Sequence, residues 1–240
     1  IIRDLPYDRS NTTLVDFKLC SDCGQEYSDT QDRRFHAQPL ACVVCGPALY
    51  WIANDGRTAQ GAQALAAAVN ALHAGRIVAV RGVGGYHLLC DAGNERSIQR
   101  LRHLKGRPAK PLAVMIPWEG EDGLAGVRRV AHLGELESAS LLGASRPIVV
   151  LPRNPQATLC ASLAPHLPDI GVMLPYSPLH LLLLEDFGAP VVASSGNVRG
   201  EPVLTEPAEA QARLGFVADA FLHHNRPIAR SAEDPVARLI

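Results

Sequence analysis

At 240 residues, with 47% hydrophobic residues and a formal net charge of −1, the chain holds enough apolar material for one sizeable domain with an appendage. The near-zero charge excludes disorder driven by self-repulsion and a general polyanion-coating role, so any binding of nucleotide or phosphate has to be local. No apolar run reaches membrane-spanning length and no signal-peptide pattern is present, so the expected setting is cytoplasmic, with no membrane partner.

Residues 1–19 show no sustained period and are interrupted by Pro6, Asp8, Ser10 and Asn11, the pattern of a linker or the remnant of a preceding finger. Then come Cys20-Ser21-Asp22-Cys23, an eighteen-residue polar insert, and Cys42-Val43-Val44-Cys45. Two thiolate pairs at this spacing close a tetrahedral site, with Gly24 and Gly46 turning the chain behind each pair. Cys20, Cys23, Cys42 and Cys45 are therefore expected to hold a structural Zn²⁺ in a small module over residues 20–50. Four sulfurs leave the metal no open position for catalysis. Cys90 and Cys160 stand alone and read as buried thiols.

From Thr58 the spacing predicts a helix, with Leu65, Ala68, Val69 and Leu72 on one face and a stop at Gly75. Residues 76–81 read as an apolar strand. Gly82-Val83-Gly84-Gly85 then allows a tight turn or a close approach to a ligand, and a second strand covers residues 86–90. Tyr86 could offer a face to a base or ribose, and His87 could donate to a phosphate or fill a core position. Asn94 caps a helix whose buried face is Ile98, Leu101 and Leu104. That helix runs into Lys105-Gly106-Arg107-Pro108-Ala109-Lys110-Pro111, and a strand over residues 112–116 runs out.

Lysine occurs only at positions 18, 105 and 110 in this arginine-rich chain, so two lysines in one basic turn point to compact charges placed against a phosphate chain. Residues 117–130 are poorly patterned, 131–142 read as a helix, 147–151 as a strand and 178–184 as a helix. A strand over 191–193 delivers Ser195 and Asn197, whose hydroxyl and amide can address one phosphate or acyl oxygen. Thr205 is placed as the cap of a helix over 207–214, followed by a strand over 220–222. His223 and His224 point to opposite faces and make a poor metal pair. Arg230, near Asp234, is a candidate phosphate contact. The alternation of elements predicts an α/β domain with a mixed sheet over residues 58–240, preceded by the metal module.

These motifs together resemble the hydrogenase-maturation carbamoyltransferases of the HypF type. The resemblance rests on IIRDLPYDRSNTT, the finger from CSDC to CVVCGP, GVGGYHLLCDA, LRHLKGRPAKPLAVM, LPYSPLHLLLL, SSGNVRGEP and HHNRPIARSAED, in that order. It implies a YrdC-like open twisted sheet carrying Lys105 with Arg107 as catalytic residues. The nucleotide contacts it implies are Lys105, Arg107, Lys110, Ser195, Asn197, Tyr86, His87 and Arg230. It further implies ATP with Mg²⁺, carbamate derived from carbamoyl phosphate, a carbamoyl-adenylate product and release of pyrophosphate. The carbamoyl group would go on to a C-terminal cysteine of a hydrogenase maturation partner through a downstream domain not in this sequence. Longer members carry further domains, and this chain would hold one finger and the central domain. One departure stands out: Pro235 follows Asp234 where the family usually has serine, which puts a phosphate contact there in doubt. Two other readings stay open: a threonylcarbamoyl-adenylate synthase for tRNA modification, and a non-catalytic zinc module binding RNA, including double-stranded RNA.

Overall fold

A computed structural model describes residues 1–198 and 200–239. In chain order its helices are α1 (Ser21–Ser28), α2 (Gly61–His73), α3 (Glu95–Leu104), α4 (Ala125–Val130), α5 (Glu135–Leu142), α6 (Pro178–Phe187) and α7 (Pro207–Leu214). The strands are β1 (Leu49–Ala53), β2 (Thr58–Gln60), β3 (Val78–Arg81), β4 (Tyr86–Asp91), β5 (Ala113–Met115), β6 (Ile148–Pro152), β7 (Asp169–Met173), β8 (Val191–Ser195), β9 (Ala220–His224) and β10 (Val236–Ala237). They form one ten-stranded sheet in the order β10-β6-β7-β5-β8-β4-β3-β9-β1-β2. The pairs β3–β9, β5–β7 and β6–β10 are parallel and the rest antiparallel, so the sheet is mixed, as the alternation of elements predicts. None of the described helices is long and apolar enough to cross a membrane.

The central strands are buried on both faces, which is why they read as continuous apolar runs rather than alternating ones. Ile77, Ala79, Leu88 and Cys90 face one core layer with Ile98 and Leu101 of α3 and Leu214 of α7. Val78, Val80 and Leu89 face the other, with Leu72 of α2 and Leu183 of α6. Each fully buried leucine or isoleucine contributes roughly 1.5–3 kcal/mol, so α3 is held firmly on the sheet and carries the basic turn at its end.

Several boundaries differ from the sequence reading. Thr58–Gln60 is a strand paired with β1, and α2 begins at Gly61, whose left-handed φ of +56° favours glycine at that corner. Ala131 lies in a bridge to Arg153, so the helix read over residues 131–142 starts only at Glu135, as α5, while α4 forms in the stretch before it that read as poorly patterned. The cap of α7 is Glu206, not Thr205, and its side chain makes no capping bond. Strands β1, β7 and β10 were not read from the sequence. Two of them owe their place to long-range partners: β1 lies against β9 and β10 against β6. Asn94, by contrast, caps α3 as read, accepting from the Ser97 amide at 3.1 Å.

Candidate functional site

Helix α3 ends on Lys105, and Gly106 takes the left-handed conformation at φ +57°. Gly106 N donates to His103 O and Arg107 N to Arg102 O (3.0 and 2.9 Å), the paired bonds of a Schellman stop. The Lys105 side chain does not turn back onto the carbonyls of its own helix. Its Nζ lies 2.5 Å from Ser195 O, 3.2 Å from Ser194 Oγ and 3.4 Å from Asn197 Oδ1, joining segments ninety residues apart. Ser195 Oγ donates to Asn197 Oδ1 at 2.8 Å, and Asn197 Nδ2 is held by Glu201 O at 2.6 Å.

Strand order makes this meeting possible. β8 lies between β4 and β5, antiparallel to both, so its C-terminal end sits beside the turn that feeds β5. Gly196 is required there because a Cβ would fall 2.4 Å from Tyr86 Cβ and 2.6 Å from Tyr86 O. Arg107, Lys110, Ser194, Ser195 and Asp234 line a cavity of about 380 Å³, and Lys105 lies against its two serines.

The basic side chains around the turn are not directly paired, although Asp169, Glu233 and Asp234 line the same cavity. Among the described residues, Arg102, Lys105, Arg107 and Lys110 form no ion pair. Burial, with repulsion from Arg107 and Lys110, pulls the Lys105 ammonium down to about 8. Burial, helped by Arg102, also lowers Arg107, whose Nε is buried without a partner. Cations held together against desolvation and mutual repulsion are what a bound polyanion would relieve.

Other expected contacts are placed differently. Tyr86, read as a face for a base or ribose, is 1% exposed, with its ring in the core, so it cannot stack on a ligand. Gln211 Nε2, which can only donate, meets His223 Nε2 at 3.1 Å, so His223 Nδ1 carries the proton donated to the Tyr86 hydroxyl at 2.6 Å. His87 points to the opposite face and donates from Nε2 to Asp234 Oδ2 at 2.8 Å. Burial pushes Asp234 up, but His87, with Tyr176 and His180, more than offsets it and holds the carboxyl below its ordinary value. Arg230 lies on the wall of a second cavity, of about 520 Å³, with Gly84, Arg146 and Tyr176. Glu233 and Asp234 line both cavities, so Arg230 belongs to the neighbouring chamber and not to the basic turn. Within the glycine loop, Gly84 and Gly85 are needed for contacts with the chain itself, since added Cβ atoms would meet Ala232 at 2.8 Å and Val203 at 2.6 Å.

Ser194 and Arg102 were not read from the sequence. A signal for Arg102 existed: it stands four residues after Ile98, on the face that α3 buries.

The cysteines meet as predicted. All four sulfurs lie within 4.8 Å of one another, with Cys42 Sγ 3.7 Å from both Cys20 Sγ and Cys45 Sγ. Tetrahedral Zn–S bonds of about 2.3 Å require sulfurs about 3.8 Å apart, so the donor set fits structural zinc. Backbone N–H groups of Cys42 and Cys20 pull Cys45 down to about 6, whereas burial and its three neighbouring thiols push Cys23 up. The first nineteen residues pack on this module through Arg9, which donates to Gln38 O and Leu40 O and, within its own segment, to Phe17 O. They also reach the sheet domain, where Arg226 Nε donates to Thr13 Oγ1 at 2.8 Å.

Residues 70–240, well over half of the chain, match the family of Sua5, YciO and YrdC, described as "Telomere recombination". The chain belongs to that family. Residues 19–52 match the HypF finger, which joins the metal module to this family member. The chain is 45% identical over 239 residues to carbamoyltransferase HypF of Rhodobacter capsulatus, covering 100% of this chain and 31% of that protein. The crystal structure of full-length HypF in the phosphate- and nucleotide-bound form superposes with a TM-score of 0.90 at 39% identity, covering 99% of this chain and 30% of that one. A threonylcarbamoyl-AMP synthase of Stenotrophomonas maltophilia is 31% identical over 166 residues, 66% of this chain and 84% of that protein. The chain thus spans about a third of the HypF proteins it matches.

Proposed function

We propose that this family member binds ATP at the basic turn and forms carbamoyl adenylate from carbamate, as the activating part of a carbamoyltransferase for [NiFe]-hydrogenase maturation. The observation that carries the reading is Lys105 Nζ against Ser194, Ser195 and Asn197, beside Arg107 and Lys110, none of the three cations being in an ion pair among the described residues. A carboxylate attacking the α-phosphorus meets the repulsion of a triphosphate, and cations fixed around the leaving pyrophosphate lower that barrier. Lys105 and Arg107 take this role, with Lys110 at the cavity mouth. Ser195 and Asn197, locked to each other, orient the α-phosphate or the carbamoyl group. Glu233 and Asp234 offer the hard oxygens that would hold the Mg²⁺ accompanying ATP.

The finger match and the whole-chain likeness to HypF favour carbamate as the acyl donor. The carbamoyl group would then pass to a cysteine of the maturation partner through another part of the longer protein. A second reading, threonylcarbamoyl adenylate formation, is favoured by the synthase relative, most of whose length this chain covers. ATP–pyrophosphate exchange separates the two. Stimulation by carbamate, supplied as its ammonium salt, is the expected result. Stimulation only by threonine with bicarbonate would replace carbamate by threonine.

A further inference from the structure

Arg102 is 6% exposed and hydrogen-bonds five backbone carbonyls from two segments. Its Nη1 donates to Arg107 O, Pro108 O and Lys110 O at 2.8, 3.3 and 3.0 Å. Its Nε and Nη2 donate to Ser162 O and Leu163 O at 2.6 and 3.1 Å. Leu163 O also accepts from Leu112 N at 2.9 Å, where the chain leaves the turn. No carboxylate forms an ion pair with Arg102 among the described residues, and burial holds its guanidinium below the ordinary value. A buried cation whose acceptors are all backbone carbonyls is an expensive way to cap a helix. Gly106 and the Schellman bonds already stop α3 without it.

What the fork adds is the shape of the turn. Three carbonyls between 107 and 110 are drawn inward onto one planar group. The negative ends of those peptide dipoles are thereby turned away from the cavity. Arg107 and Lys110 are held on a closed loop although their charges repel each other and Lys105. Resting on the anion-binding reading above, we infer that Arg102 is a positioning residue for the phosphate site. It pre-shapes the basic turn from behind and contributes a fourth positive charge there without touching the ligand.

Arg102→Lys keeps the charge but cannot span both segments, and Arg102→Ala removes both charge and span. Binding of Mg-ATP and of inorganic pyrophosphate is measured by calorimetry, and ATP–pyrophosphate exchange at a temperature where melting curves show each protein folded. The expected result is an affinity for pyrophosphate lower by about tenfold or more in Arg102→Lys, and a larger loss in Arg102→Ala. Guanidinium ion at sub-denaturing concentration should restore Arg102→Ala, by filling the vacated slot, and should not restore Lys105→Ala. A purely structural arginine would lower the melting temperature and leave the affinity of the folded protein and the KM for pyrophosphate unchanged, and that outcome overturns the inference. Equal guanidinium rescue of both alanine variants also overturns it. If neither variant folds, Arg102 is a core residue and the positioning role falls. If the wild-type chain binds neither ATP nor pyrophosphate, the nucleotide reading itself has failed. That result is distinct from one in which wild type and variants bind alike.

Discussion

Replacing Lys105 by methionine separates stability from binding, because the two should move independently. Burial and the neighbouring cations take Lys105 from 10.5 to about 8, which sets about 3 kcal/mol against its charged form in the folded chain. Methionine keeps the stem and removes that cost, but it leaves Ser194 Oγ, Ser195 O and Asn197 Oδ1 without this donor, at about 1 kcal/mol each. The two contributions nearly cancel, so the melting temperature should stay within about 4 °C of wild type. ATP or pyrophosphate affinity should fall at least about tenfold, as expected when a charged hydrogen bond worth about 1.5–3 kcal/mol is lost.

The same lysine dictates a pH signature. Below about 8 it is charged in the folded chain and binding is constant; above 8 affinity falls as the proton is lost. Stability without ligand moves the other way. Between about 8 and the unfolded value near 10.5 the unfolded chain holds more protons, so the folded state gains as pH rises. Calorimetric titration with pyrophosphate from pH 7 to 10, alongside melting curves, measures both. Two results would refute the placement of Lys105 at a phosphate: a methionine variant that binds as wild type does, or affinity in the wild type that is flat across pH 8 to 10.

Cys42→Ser should lower the zinc content measured by atomic absorption and loosen the finger, while ATP affinity changes by less than about threefold, since a closed four-sulfur site is structural. In Gly196→Ala the added carbon has no room against Tyr86, so a loss of about 1–3 kcal/mol in chemical denaturation is expected, with at least about tenfold weaker ATP binding as Ser195 and Asn197 are displaced. Tyr86→Phe should cost about 1–3 kcal/mol of stability by stranding His223 Nδ1, with unchanged ATP affinity, since the ring is enclosed. Arg230→Ala should weaken ATP binding less than about tenfold, because Arg230 lies on the second cavity and not on the basic turn.

Much of this is local chemistry that a linear reading reaches. Paired cysteines, an asparagine before an amphipathic run and a glycine between a lysine and an arginine each state their role within a few residues. Their geometry follows from bonds that are short in sequence. The finger sulfurs, the cap of α3 and the basic turn could therefore be read directly.

What distance along the chain decides could not. Whether Lys105 meets Ser195 depends on β8 lying between β4 and β5, a choice made by packing two apolar faces and not by either segment alone. Alternation along β4 tells that Tyr86 and His87 part company, but only the coverage by α7 and α6 settles that the tyrosine is enclosed and the histidine reaches Asp234. Arg102 illustrates the limit most plainly. Its partners are backbone carbonyls, which every residue possesses, so no pattern of side chains announces them until the chain has folded around it.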